Sequence, residues 1–320
     1  MFNQQIASLP EYLSGVRAIT ILDSTKCKTY QQCPRLYFFS HILGWKAEHA
    51  TIHNHLIFGQ ALHKAMESLM HYGYTKEAVH IGMLEFEKIY RKDFPPVTDA
   101  QHYPKVPARA TDALMAYIQK YKEDNFSVLH TEKAGIIYVR EDRELHFKMD
   151  LIAKNKDGIF FNDYKTASRL TPSWMNQWTL STQINLYTHG LHCLFSEEEI
   201  FGGIIQGLIF MKNETKLVRV PVRRTYAQLN AWLWGFNILL DDMERNFNAL
   251  VDVKDTDSFM QAFPQNPNAC SSFYGCPFFD LCSAGNQNPM SYAAQCPLGY
   301  KVEHWDPTVN EEKKEEIGSC

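Results

Sequence analysis

No apolar run in the chain approaches the roughly 20 residues that a bilayer-spanning helix needs. Its first residues do not pair a basic patch with an apolar stretch and a small-residue cleavage site. The expectation is therefore a soluble, intracellular and cytoplasmic protein with no membrane partner. Basic excess is also missing: the formal net charge is −4 and the pI about 6.4, so any nucleic-acid surface must be a local patch rather than a bulk property. There is no G-x-x-x-x-G-K-[ST] phosphate loop, so ATP-driven work must come from a partner. No segment repeats at a fixed period, which excludes solenoids and propellers.

What is present suffices for a sizeable core: 320 residues, 45% hydrophobic and 13% aromatic. Eight cysteines in an intracellular chain read as metal ligands plus core thiols rather than as a disulfide framework. From Ser24 to Trp45 a short helix precedes a Pro-started one. In HNHLIFGQALHKAMESLMHYGY, the residues Leu62, Ala65, Met66, Leu69 and Met70 mark an amphipathic helix. Helix continues over 75–125 except where the prolines of FPPVTDAQHYPKVP forbid it. Extended runs follow in SVLHTEKAGIIYVR, ELHFKMDLIAK and GIFFNDYKTA, with NKDG as a hairpin turn between the last two. A helix is expected from about Trp174 to Leu194, then two strands, then a helix from about Tyr226 to Leu250. The EEKKEE stretch resembles a disordered tail. The fold class is α/β, a mixed sheet flanked by helices. Three parts are expected: a helical region over 1–125, a core over 126–250 and a cysteine-rich tail over 251–320.

Within the extended runs stand Asp150, Asp163 and Lys165. Side chains alternate along a strand, so Asp163 and Lys165 share a face, and Asp150 can reach it across the hairpin. An isolated Asp-x-Lys at a strand end is also consistent with a solvated ion pair worth little. Two carboxylates beside one lysine, however, suit a hard divalent cation that keeps several waters, acidifies one of them and neutralises a phosphate. That is phosphodiester hydrolysis.

Asp150 followed by Asp163-Tyr164-Lys165 resembles the PD-(D/E)XK nuclease superfamily, and its RecB-like exonuclease branch in particular. Gly59-Gln-Ala-Leu-His63 before the strands matches that branch's G-x-x-x-H, and Gln183-Ile-Asn-Leu-Tyr187 after them matches its Q-x-x-x-Y. The resemblance implies a restriction-endonuclease-like core and a metal-dependent DNA exonuclease. His63, Asp150, Asp163 and the Tyr164 carbonyl would hold Mg²⁺ or Mn²⁺, with Lys165 serving the water. Gln183 and Tyr187 would hold the lysine or the DNA strand, Glu67 would support His63, and Glu132 resembles an acidic residue of the first strand. Phe147-Lys148-Met149 stands where relatives often have a glycine and then a small or basic residue.

Cys270, Cys276 and Cys282 have five residues between each pair, and three thiolates leave a tetrahedral site one ligand short. The resemblance extends to cluster-bearing nucleases of the helicase–nuclease and CRISPR-adaptation families. They use one N-terminal cysteine in a CPR-like context, which makes Cys33 the fourth ligand, with Cys27 its rival, and implies a [4Fe–4S] cluster. Their first gap is usually tighter, and S₄ geometry suits zinc equally. Arg219, Arg223, Arg224, Lys26, Lys28 and Arg35 are candidates for phosphate contact. Tyr37, Phe38, Trp174 and Trp178 could stack on unpaired bases or pack in the core. The implied partners are DNA and a helicase or recombination protein. The alternatives are an endonuclease of repair or CRISPR adaptation, a non-catalytic DNA-binding subunit, and a zinc protein.

Overall fold

The computed structural model describes residues 17–48, 52–140, 143–271 and 275–304, with the backbone of 315–316. Residues 1–16, most of the EEKKEE stretch and Cys320 lie outside them. Along the chain run β1 (Ile21–Asp23), α1 (Ser24–Gln32), α2 (Pro34–Tyr37), β2 (Trp45–Ala47), α3 (Asn54–Tyr72), α4 (Lys76–Tyr90) and α5 (Pro107–Lys120). There follow β3 (Ser127–Arg140), β4 (Arg143–Asn155), β5 (Gly158–Ala167), α6 (Thr182–Leu194), β6 (Ile200–Phe210), β7 (Thr215–Val222), α7 (Tyr226–Ala249), α8 (Phe279–Ser283) and β8 (Tyr300–Val302). This is the expected α/β class, a mixed sheet with helices against it. The chain divides into two compact units, one of Met1–Ala50, Ile136–Phe147 and Asn230–Cys320, the other of Thr51–Gly135 and Lys148–Leu229.

In the second unit the strand order is β7-β6-β5-β4-β3. β4 and β5 form the antiparallel hairpin, pairing Asn155 with Gly158 across Lys156-Asp157. Gly158 has φ +128, and a Cβ there would stand 2.5 Å from the Glu199 carbonyl, so the turn requires glycine. β6 lies parallel to β5, which demands a crossover, and residues 168–199 with α6 supply it. On α3 the buried residues Phe58, Leu62, Ala65, Met66 and Leu69 recur at helical spacing. They join Tyr90, Leu114 and Tyr117 in one core with Leu151, Tyr164, Leu208 and Phe210 of the sheet. Thr75 caps α4 by accepting from Ala78 N–H at 3.0 Å, and Pro107 opens α5 at its first turn.

The helix expected over Trp174–Leu194 is broken. A short helix over Pro172–Asn176 and a tight turn over Gln177–Leu180 precede α6, with Ser181 extended between. The Trp178 carbonyl, which would accept from residue 182 in a continuous helix, is taken by Arg224 Nη2 at 2.7 Å. Trp174 meanwhile lies against Gly207, the register partner of Lys165 on β6.

In the first unit β1 pairs parallel with the start of β4, Ile21 opposite Glu144. β2 and β8 pair antiparallel, Trp45 opposite Val302. These three-residue strands are absent from the sequence reading, because such lengths carry no periodicity. Tyr30, Tyr37 and Phe38 surround Phe263, with ring centroids 5.5–6.4 Å from it. Tyr37 and Phe38 are fully buried and so serve the core, not base stacking. Asn246 ties this cluster, donating to Tyr30 Oη at 2.7 Å and accepting from Phe263 N–H at 2.6 Å.

A Cβ at Gly207 would lie 2.4 Å from the Trp174 ring and 2.7 Å from Val218. Gly207→Val should therefore displace Trp174 and cost about 1–3 kcal/mol. Chemical denaturation followed by tryptophan fluorescence checks this, with a lowered midpoint and a shifted native spectrum as the expected result.

Candidate active site

The hairpin ladder between β4 and β5 ends at Leu151–Asn162. Beyond it β5 continues along β6 from Asp163 to Ala167, and the backbone of β5 loses its β4 partner. The Tyr164 N–H is satisfied instead by the Asp150 carboxylate, Oδ2 at 2.8 Å. The fork in the sheet thus sets Asp150 and Asp163 beside each other at the point where two strands separate.

From α3, His63 reaches this fork, its Nε2 2.7 Å from the Tyr164 carbonyl oxygen and its Nδ1 3.3 Å from Asp150 Oδ1. Lys165 Nζ lies 3.1 Å from Asp163 Oδ1 and donates also to Gln183 Oε1 at 3.1 Å. Gln183 Nε2 donates to Tyr187 Oη at 2.8 Å, and the Tyr187 hydroxyl to the Lys148 carbonyl at 2.6 Å. The i, i+4 spacing on α6 lets one helix face carry the relay from β4 to the lysine. Trp178 adds its ring, 5.9 Å from Lys165 Nζ, a neighbour for which the sequence offers no spacing signal.

Electrostatics follows from burial. The Asp163 side chain is 1% exposed; burial and the Asp150 charge push its carboxyl up, against Lys165. Burial also raises Asp150, but His63, Lys165 and the Tyr164 N–H outweigh it and hold that carboxyl below its usual range. Burial lowers His63, yet the Asp150 charge and hydrogen bond lift it to about 9. Burial works against the Lys165 ammonium as well, and Asp163 and Asp150 keep it above the ordinary lysine value. The site therefore balances two carboxylates against two cationic groups.

Asp163 Oδ2 lies 2.8 Å from Lys165 Nζ without being aligned to accept a hydrogen bond from it, and it has no hydrogen-bond partner. That buried unsatisfied oxygen, the Asp150 carboxylate, the Tyr164 carbonyl and an imidazole form an oxygen-rich donor set that fits a hard divalent cation. Among the described residues no three His, Cys, Asp or Glu side chains already close into a metal cage.

Glu67 does not support His63. It pairs with Lys64 at 2.5 Å and His71 at 3.8 Å, one turn away on either side. Glu132 holds Lys148 in an ion pair and sits at φ +50, a left-handed conformation uncommon for a residue with a side chain. Burial raises its carboxyl, with Asp150 and Glu67 adding to that and Lys148 opposing it.

In the first unit Cys33, Cys270, Cys276 and Cys282 line one cavity of about 160 Å³ together with Leu36, Phe39, Phe278 and Phe279. Cys27 is fully buried and does not line it. The Asn266 N–H donates to Cys33 Sγ at 3.3 Å. Burial pushes Cys282 up to about 11, the neighbouring thiols adding to this and Arg35 opposing it.

Most of the basic residues expected at phosphates are committed elsewhere. Arg219 is clamped by Asp124 at 2.9 and 2.5 Å and stacks on Tyr121 at 3.6 Å. Lys26 is buried and donates to the Ile21 carbonyl at 2.7 Å; Arg35 is buried and donates to the Phe263 carbonyl at 2.9 Å. Arg224 binds Asn185 at 2.5 Å and the Trp178 carbonyl. Lys28 and Arg223 stay exposed, the latter over the Phe201 ring at 4.1 Å.

Tyr187→Phe should leave the Lys148 carbonyl and Gln183 without their buried hydroxyl and cost about 1–2 kcal/mol. Thermal unfolding of the two proteins measures it; an unchanged midpoint would mean that the relay carries no weight.

No curated protein matches the chain. A family model described as the PD-(D/E)XK nuclease superfamily matches residues 24–283, a span that includes the fork, α3, α6 and the four cavity cysteines. The chain belongs to the PD-(D/E)XK nuclease superfamily.

Proposed function

We propose that this chain is a metal-dependent DNA exonuclease of the RecB-like branch, hydrolysing phosphodiester bonds at the β4–β5 fork. The observation that carries the reading is the gathering of Asp150, Asp163, the Tyr164 carbonyl and His63 around Lys165. Asp150, Asp163, His63 and the Tyr164 oxygen would hold Mg²⁺ or Mn²⁺. When bound, such an ion supplies charge neutralisation at the phosphate and acidifies a water. Lys165, fixed between Asp163 and Gln183, presents an ammonium that orients the attacking water and meets developing negative charge. The Asp163 and Asp150 charges hold its pKa up, so the proton stays on Nζ in the metal-free site. Gln183 and Tyr187 keep that ammonium from swinging away, and Trp178 covers it.

Cys33, Cys270, Cys276 and Cys282 would hold a [4Fe–4S] cluster in the second half of the proposal. Support comes from their convergence on one cavity with apolar walls and from the backbone N–H aimed at Cys33 sulfur, since such donors stabilise thiolate ligands. The cluster would be structural, supplying folding free energy to the first unit. Strand ends opened by a separate helicase would be the natural substrate, because the chain has no phosphate loop of its own.

End-labelled linear single-stranded and duplex DNA, incubated with Mg²⁺ or Mn²⁺, tests the catalytic half. Progressive loss of label is expected from the native protein, with Asp163→Ala and Lys165→Met reduced by a factor of about 10³ or more. Internal cuts without end dependence would make it an endonuclease, and no cleavage by folded protein would leave a DNA-binding subunit. Anaerobically purified protein should be brown, with absorbance that Cys33→Ser abolishes and Cys27→Ser keeps. Colourless protein containing zinc would replace the cluster by a zinc site.

A further inference from the structure

Lys105 lies in the second unit, in the proline-rich segment before α5, where no site residue was expected. It is 8% exposed, and its only side-chain hydrogen-bond partner among the described residues is Thr166 Oγ1, at a long 3.5 Å. Its backbone is pinned: the carbonyl accepts from Tyr90 Oη at 3.0 Å and Asn54 Nδ2 at 3.4 Å, and the N–H donates to His102 at 3.0 Å. Among the described residues no carboxylate pairs with the ammonium, and burial pushes it down to about 8, so it remains largely charged at neutral pH. A buried charge without a counter-ion costs free energy that a structural role does not return.

Two imidazoles stand at the start of α3, whose Asn54 Nδ2 reaches the Lys105 carbonyl. His53 and His55, at the N-terminus of α3, have ring centroids 5.3 Å apart. His55 is held below the usual histidine range by burial, then by Lys105, then by His53, which places the three side chains within electrostatic reach of one another. The 19-residue helix α3 starts beside the Lys105 backbone, Asn54 Nδ2 donating to its carbonyl at 3.4 Å, and carries a partial positive charge at that end. Gly59 leaves the flank of Thr166 open, since even a Cβ there would come no closer than 3.8 Å to Thr166 Oγ1. Thr166 itself follows Lys165 on β5.

We propose that Lys105, Thr166 and the N-terminus of α3 form an anion subsite that holds a phosphate of the DNA strand beside the one being cleaved. The proposal rests on the nuclease reading for the identity of the strand, not for the existence of the anion site. A phosphate supplies the missing counter-charge and accepts from the Lys105 ammonium, the Thr166 hydroxyl and the first N–H groups of α3. Lys105 is thus a positioning residue: it fixes where the backbone lies relative to Lys165.

Binding of a fluorescein-labelled 12-nucleotide single strand, in Ca²⁺ without Mg²⁺ or Mn²⁺, is measured by anisotropy over a salt series. Lys105→Met should bind about tenfold more weakly and lose roughly 0.7 from the slope of log K against log salt, one phosphate contact's worth. Lys105→Arg should restore both, and Thr166→Val should weaken binding without changing the slope. A purely structural lysine could alter affinity through misfolding but would leave the slope of the folded fraction intact. Equal slopes for the native protein and Lys105→Met therefore overturn the proposal. Strands ending in 5′-phosphate, 5′-hydroxyl or 3′-phosphate locate the bound group: an effect confined to one end identifies a terminal phosphate, and one common to all identifies an internucleotide phosphate. Should folded native protein cleave no DNA while the slope change persists, the nuclease reading fails and the anion subsite stands.

Discussion

Two buried carboxylates at a parting of strands are the constraint to which the rest of the second unit answers. Asp150 and Asp163 stand where the β4–β5 ladder stops, and neither could remain ionised there without cations close by. His63 and Lys165 supply them. α3 must therefore pack with its Phe58–Leu69 face on the sheet so that His63 emerges at the fork. α6 must return across β5 so that Gln183 meets Lys165. Gly207 must stay small so that Trp174 can lie over β6 next to the lysine. Fold and site are here one arrangement, because the same strand that carries Asp163 and Lys165 also carries Tyr164 into the core.

That arrangement leaves one carboxylate oxygen without a hydrogen bond. The ammonium of Lys165 and the imidazole of His63 neutralise charge that a divalent cation would neutralise better, and Asp163 Oδ2 is left without a hydrogen bond. A buried acceptor left in this way is costly in a structural protein and useful in a site that binds cations.

Much of this was legible in the sequence. The NKDG turn marked the β4–β5 hairpin, and the alternation in NDYKTA placed Asp163 and Lys165 on one face. G-x-x-x-H and Q-x-x-x-Y named the two helices that reach the fork. Periodicity could not reveal the break before α6, because the cause is Arg224, 46 residues from Trp178, capturing a carbonyl. The same blindness to distant partners explains the basic residues. Arg219 and Arg35 look free in sequence, but Asp124 and the Phe263 carbonyl, both far along the chain, hold them. Glu67 is a local matter instead: Lys64 and His71, three and four residues away on α3, compete for it. Lys105 was missed for the opposite reason: a lysine between prolines resembles a solvated loop residue, and only its burial makes it informative.

The most direct test of the account is a crystal structure with Mn²⁺, read by anomalous scattering. The account predicts a peak between Asp150 and Asp163, against the Tyr164 carbonyl and His63, with Lys165 drawn off Asp163 Oδ2 while still held by Gln183. Ordered protein with no manganese at the fork, and with Lys165 still seated on Asp163 at saturating metal, would contradict it.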